Sequence, residues 1–225
     1  MTGSQGEQDL SIYRLRWVGY GLLVLSLFDT ISVLTPPDFL NPVWELQTIG
    51  ALVERVPVPL LGLALIFFGE EYDRTDWEEI VLKALSWITL LLALFFLLML
   101  PLGIFNTLRV NSQNSQQITA QSQQQLTQLQ QVQDRLTKGS PEELKTLASE
   151  LNRLGLPVNT QQPEELKTQI LSKIPQAKQQ LETQVKTVQS NQRLALFKNA
   201  VKWILGALIS SILFFILWRG TSWAR

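Results

Sequence analysis

Four apolar segments, divided three and one by a polar, Gln-rich stretch of about ninety residues, constrain this chain more than any other feature. They run Trp17 to Leu34, roughly Ile49 to Phe68, Ile80 to Phe105 and Ala200 to Leu217. A helix that crosses a bilayer needs ~20 largely apolar residues at 1.5 Å rise each. Each segment meets or approaches that length. The interval between the third and the fourth carries the residues of a solvated helix. The expected fold is therefore all-α: an integral membrane protein with four transmembrane helices and an extramembrane antiparallel helical hairpin. Its parts would be residues 1–105 with three spans, the hairpin at 106–199, and a last span with a short tail at 200–225.

Composition removes several chemistries. The chain has no Cys and no His, which excludes thiol catalysis, disulfides and Cys or His metal sites. The net charge is zero but unevenly spread. Residues 1–105 hold five Lys/Arg against twelve Asp/Glu, and residues 106–199 hold eleven against seven. A mildly basic hairpin suits anionic headgroups or acidic polymers, although a solvated helical surface explains it as well. The basic residues are scattered and not interleaved with aromatics, which argues against nucleic acid.

The spans contain charges that need an explanation. Asp29 lies inside the first, where a carboxylate costs a few kcal/mol unless it faces protein or water. It is a candidate ion or partner site, or else a residue near the interface. In the second, Val43, Leu46, Ile49, Leu52, Val53 and Val56 recur at helical spacing. That pattern predicts an interfacial helix dipping into the span. Glu54 and Arg55 follow at headgroup depth, and Pro57 and Pro59 predict a kink directly after them. The pair is a candidate functional site or an interfacial anchor. Arg14 and Arg16 introduce the first span and end a polar tail of thirteen residues. No small-residue cleavage site follows, so the span is read as uncleaved. Four spans put both termini on one side, and the flanking arginines favour the cytoplasm. In the fourth span Gly206, Ala207 and Ser210 form a small-residue face where another helix can pack closely.

The hairpin begins with eleven Gln between Asn106 and Lys138. Ile118, Leu129, Val132 and Leu136 fit a three-four spacing, with Asn111, Ser115, Ser122 and Gln125 as polar equivalents. This is a diluted heptad seam. The returning helix offers Ile170, Ile174, Ala177, Leu181, Val185 and Val188. A helix of thirty residues is ~45 Å long, so the tip would stand clear of the lipid. There, Pro141-Glu142-Glu143-Leu144-Lys145-Thr146 recurs as Pro163-Glu164-Glu165-Leu166-Lys167-Thr168. Proline at the first helical position and acids in the first turn are helix starts. Leu144, Leu147 and Leu151 with Leu166 and Ile170 form apolar stripes that pack together as a cap, dock a partner, or do both.

Two stretches carry a family resemblance. They are Asn41-Pro42-Val43-Trp44-Glu45-Leu46-Gln47, and Val53-Glu54-Arg55-Val56-Pro57-Val58-Pro59-Leu60-Leu61-Gly62 with Phe67-Phe68-Gly69-Glu70. With the layout of three spans, a Gln-rich helical insert and a last span, they resemble the HpsJ-like membrane proteins of cyanobacteria. Trp44, Glu45, Pro57 and Pro59 stand out in the shared block. The resemblance implies an accessory role in hormogonium polysaccharide production and secretion, and it carries over no catalytic residue.

No catalytic, cofactor or metal set appears in the residues themselves. The expected function is that of a non-enzymatic accessory or scaffold protein in a membrane, supporting exopolysaccharide biosynthesis or secretion. Its expected partners are the lipid bilayer, a membrane protein and a second copy of itself. The plasma membrane is favoured over the thylakoid. The alternatives are an assembly factor or subunit of a thylakoid complex, or a small ion-coupled transporter using Asp29, Glu54 and Arg55.

Overall fold

The computed structural model describes residues 2–69, 74–138 and 163–225, without the side chains of 2–10, 136, 163–167, 169 and 170. Among these residues the structure is helical, with no strand. Helix α1 spans Thr2–Leu34, α2 Pro42–Arg55, α3 Pro57–Phe67, α4 Asp76–Lys138 and α5 Pro163–Gly220, followed by one 3-10 turn at Ser222–Ala224. Four helical stretches are long and apolar enough to cross a membrane, with α2 and α3 together forming one of 26 residues, Pro42–Phe67. The chain divides into two compact units, residues 1–110 with 195–225, and residues 111–194.

In the first unit, local chemistry sets the helix ends. Asn41 caps α2 by accepting the Val43 N–H at 3.0 Å, and Pro42 occupies the first turn, where its missing N–H costs nothing. Proline at 57 ends α2 at Arg55. The next amides still bond backwards, Val56 to the Val53 carbonyl and Leu60 to the Val56 carbonyl. The expected kink is thus a one-residue break between two helices that continue the same span. At the start of α4 the Glu78 carboxylate accepts the Thr75 N–H at 3.2 Å while the Glu78 N–H returns to the Thr75 carbonyl at 2.8 Å. The polar tail of residues 1–13 is helical from Thr2, in keeping with the good helix formers Gln5, Glu7 and Gln8. Helix α4 runs through Pro101.

Small residues let these helices approach. A Cβ placed on Gly19 of α1 would meet the Gly62 carbonyl of α3 at 2.8 Å. One on Gly50 of α2 would fall 2.2 Å from the Trp203 ring of α5, and one on Gly206 of α5 would fall 2.4 Å from Val53. The small-residue face of the last span is therefore occupied by α2 of the same chain. Helices α4 and α5 join through the stacked Phe96 and Phe214 rings at 5.8 Å, and through hydroxyls. Ser211 donates to the Ala93 carbonyl at 2.8 Å, and Ser86 meets Thr221 at 2.8 Å. Leu63, Ile66, Leu82, Ala207 and Phe214 are completely enclosed. Large apolar residues such as Leu25, Phe28, Ile80 and Leu98 cover the outside, each more than half exposed. A continuous coat of that kind is unfavourable in water and neutral against lipid.

In the second unit α4 and α5 run antiparallel. Lys178 donates to the Gln133 side-chain oxygen at 3.2 Å, and Gln189 donates to the Thr119 hydroxyl at 3.4 Å. The half-buried positions of α4 in this unit are Asn111, Asn114, Ser115, Ile118, Ser122, Leu126, Leu129, Val132 and Gln133. Leu126 faces inward where Gln125 was expected, and Gln189 replaces Val188, which is exposed. The set recurs at steps of three and four residues, and Ile118, Leu129 and Val132 of the expected seam are among it. The expected tip residues Leu144, Leu147 and Leu151 lie outside the described residues. Leu166 and Ile170 sit in the first turns of α5, with side chains also outside them.

Overpacking a close helix crossing typically costs about 1–3 kcal/mol. Gly50→Val is expected to lower the unfolding free energy in detergent by that amount. Gly21→Ala, with open space around its Cβ, is expected to leave it unchanged.

Candidate functional site

The charges expected at the second span are adjacent in sequence and part ways in space. The Arg55 Nε donates to Asp29 Oδ2 of α1 at 2.8 Å, and a second Arg55 nitrogen bonds the Ala51 carbonyl at 3.2 Å. The Glu54 Oε1 accepts the Lys202 ammonium at 2.7 Å and the Trp203 indole N–H at 3.2 Å, both from α5. Successive helical residues point about 100° apart, which is why one dipeptide reaches two different neighbours. Asp29 and Glu54 are not brought to a common site. All four charged groups are partly exposed on the outside of the unit, with side-chain exposures from 41% to 67%.

A third contact involves Glu45 of the Trp-Glu-Leu-Gln block. Its carboxylate accepts the Asn106 amide of α4 at 2.6 Å and the Leu40 N–H at 3.2 Å. Leu40 has a φ of 112°, a region that favours glycine. The bond to Glu45 helps hold this turn. Asn106 is completely buried, and its side-chain oxygen has no partner among the described residues. Trp44 meets the Phe39 ring edge-on at 5.3 Å. Pro57 and Pro59 lie in the first turn of α3 and make the break described above.

The opposite end of the unit has its own charges. Arg16 is buried and donates to the Gly69 carbonyl at 2.9 Å, with Glu78 at 4.0 Å. Arg74 approaches the Ile66 and Gly69 carbonyls, both at 3.5 Å, and lies over the Trp223 ring at 4.7 Å. Thirteen residues of α1 separate Arg16 from Asp29, about 20 Å along the axis. A bilayer's hydrocarbon layer is about 30 Å thick. A bundle spanning such a layer would hold some of these charges below the headgroups, where pairing is required.

This arrangement is a set of ties between helices. Asp29, Glu54 and Glu45 are each engaged by a cation or by amide donors. Among the described residues no three acidic groups gather as a metal site would require. Sequence reasoning singled out Asp29, Glu54, Arg55 and Glu45. It missed Lys202, Trp203 and Asn106 as their partners. The available signal was that each is a polar group at the border of an apolar segment, where a carboxylate on a neighbouring helix can find a donor.

The model of a family described as HpsJ-like protein matches residues 10–222, nearly the whole chain. No curated protein and no solved structure matches it.

Breaking one member of a charge pair leaves the other uncompensated. Arg55→Gln alone is expected to destabilise the detergent-solubilised protein more than Asp29→Asn with Arg55→Gln. The interaction energy between the two sites should be on the order of 1 kcal/mol in a double-mutant cycle of unfolding. Additive effects would show that the pair contributes nothing.

Proposed function

This chain belongs to the HpsJ-like family, and we propose on that footing that it is a non-enzymatic accessory protein of a membrane. Its spans would anchor a helical hairpin that docks a partner of the machinery exporting surface polysaccharide. The observation that carries the reading is continuity of helix. Helices α4 and α5 pass from apolar segments into the hairpin for 63 and 58 residues without interruption. The engaged carboxylates of the candidate site support a structural role over catalysis. The apolar coat supports insertion in a bilayer, and the arginines before the first span support cytoplasmic termini. We place the protein in the plasma membrane ahead of the thylakoid.

A second reading, ion-coupled transport, draws on the charges of Asp29, Glu54 and Arg55. It requires the Asp29–Arg55 pair to open during the cycle, because an ion or proton must replace the guanidinium. A partner docked on the hairpin demands no such opening.

Deleting the gene is expected to lower released polysaccharide severalfold. A copy carrying Asp29→Asn and Glu54→Gln is expected to restore it nearly fully. Failure of that copy, with normal protein levels, would favour transport. A photo-crosslinking residue at Gln128 is expected to capture a discrete membrane protein of the export machinery. Recovery of only lipid and abundant bystanders would overturn the accessory reading.

A further inference from the structure

We infer that the point where α4 and α5 leave the apolar unit binds anionic phospholipid headgroups through Arg109 and Lys198. The inference rests on the membrane placement proposed above. A Cβ on Gly103 would touch Ile204 at 3.6 Å, which fixes the two helices at a common height. Arg109 lies six residues beyond Gly103, and Lys198 six residues before Ile204. At 1.5 Å per residue, each stands about 9 Å past that crossing. The inner faces are already occupied at this level, with Asn106, Val110 and Ala200 buried. Both cations are exposed and neither forms an ion pair among the described residues.

The acids of the packed neighbours are taken. Glu54 is held by Lys202 and Trp203, and Glu45 by Asn106 and the Leu40 amide. On α4 no Asp or Glu occurs from Asn106 to Gln133, and on α5 none from Thr183 to Gly220. Among the described residues Asp38, on the neighbouring loop, accepts the Asn41 side-chain amide, and no acid pairs with Arg109 or Lys198. The apolar side chains of this surface identify the occupant. Phe105, Leu108 and Phe197 are 59%, 66% and 64% exposed beside the cations, and the Arg109 guanidinium lies 5.7 Å from the Phe105 ring. A soluble acidic polymer would leave those rings in water. The headgroup layer of a bilayer offers acyl chains to the rings and phosphates to the cations at one depth, the division of labour expected of snorkelling side chains.

The chain contains no Cys, so Val201→Cys carries a single bimane label one turn from Lys198. The full-length protein is reconstituted in an equal mixture of phosphatidylglycerol and phosphatidylcholine, with bromine on one lipid or the other. Quenching should favour brominated phosphatidylglycerol by roughly threefold or more, weakening as salt is added. The preference should vanish in Arg109→Gln/Lys198→Gln. It should survive in Arg109→Lys/Lys198→Arg and in Lys173→Gln/Lys186→Gln. Equal quenching by both lipids in the unsubstituted background, or a preference that survives loss of both charges, overturns the headgroup site. Quenching by neither lipid overturns the membrane placement and the site with it.

Discussion

Glu54 and Arg55 are consecutive, oppositely charged and bound to different helices, and the arrangement of the apolar unit hangs on that division. Arg55 draws α2 to α1 through Asp29, and Glu54 draws it to α5 through Lys202 and Trp203. In a lipid environment apolar surface provides no preference for one helix neighbour over another. Register must then come from close-packing small residues and from polar contacts that are costly to leave unmade. Both occur here within one stretch of α2. Gly50 and Val53 face Trp203 and Gly206 of α5, and the charged dipeptide follows directly. The break at Pro57 comes next, so α3 is free to turn its Gly62 onto Gly19 of α1 without dragging α2 from α5.

Much of this was legible in the sequence, for definite reasons. Apolar length marked the spans, the prolines at 57 and 59 marked a break, and out-of-place charges marked the polar contacts. Partners were harder. Nothing in the spacing of Asp29 or Glu54 says which of several helices will supply the donor, because span order in a bundle is a tertiary matter. The face at Gly206 looked available to a second chain and is filled by Val53. The hairpin seam was read as heptads from its Ile and Val positions. Ile118, Leu129 and Val132 are half-buried as read, while Leu126 turns inward in place of Gln125.

The charge distribution also bears on what the protein can do. Its carboxylates at this end of the unit are engaged by cations or amides, while the cations at the exit of α4 and α5 are left outward among exposed aromatic and aliphatic groups. Such a division suits a molecule whose interior holds together by internal pairs and whose borders meet lipid.

The central claim is that the four helical stretches cross a membrane, so that the loop around Asp38 and the hairpin share one side and the C-terminal end lies on the other. Single cysteines at Asp38, Gln125 and Ser222 in this Cys-free chain, exposed to an impermeant maleimide in sealed, oriented vesicles, test it directly. Asp38→Cys and Gln125→Cys should share one labelling state, and Ser222→Cys should show the opposite one until detergent is added. Equal labelling of Gln125→Cys and Ser222→Cys in sealed vesicles would contradict the four-span arrangement.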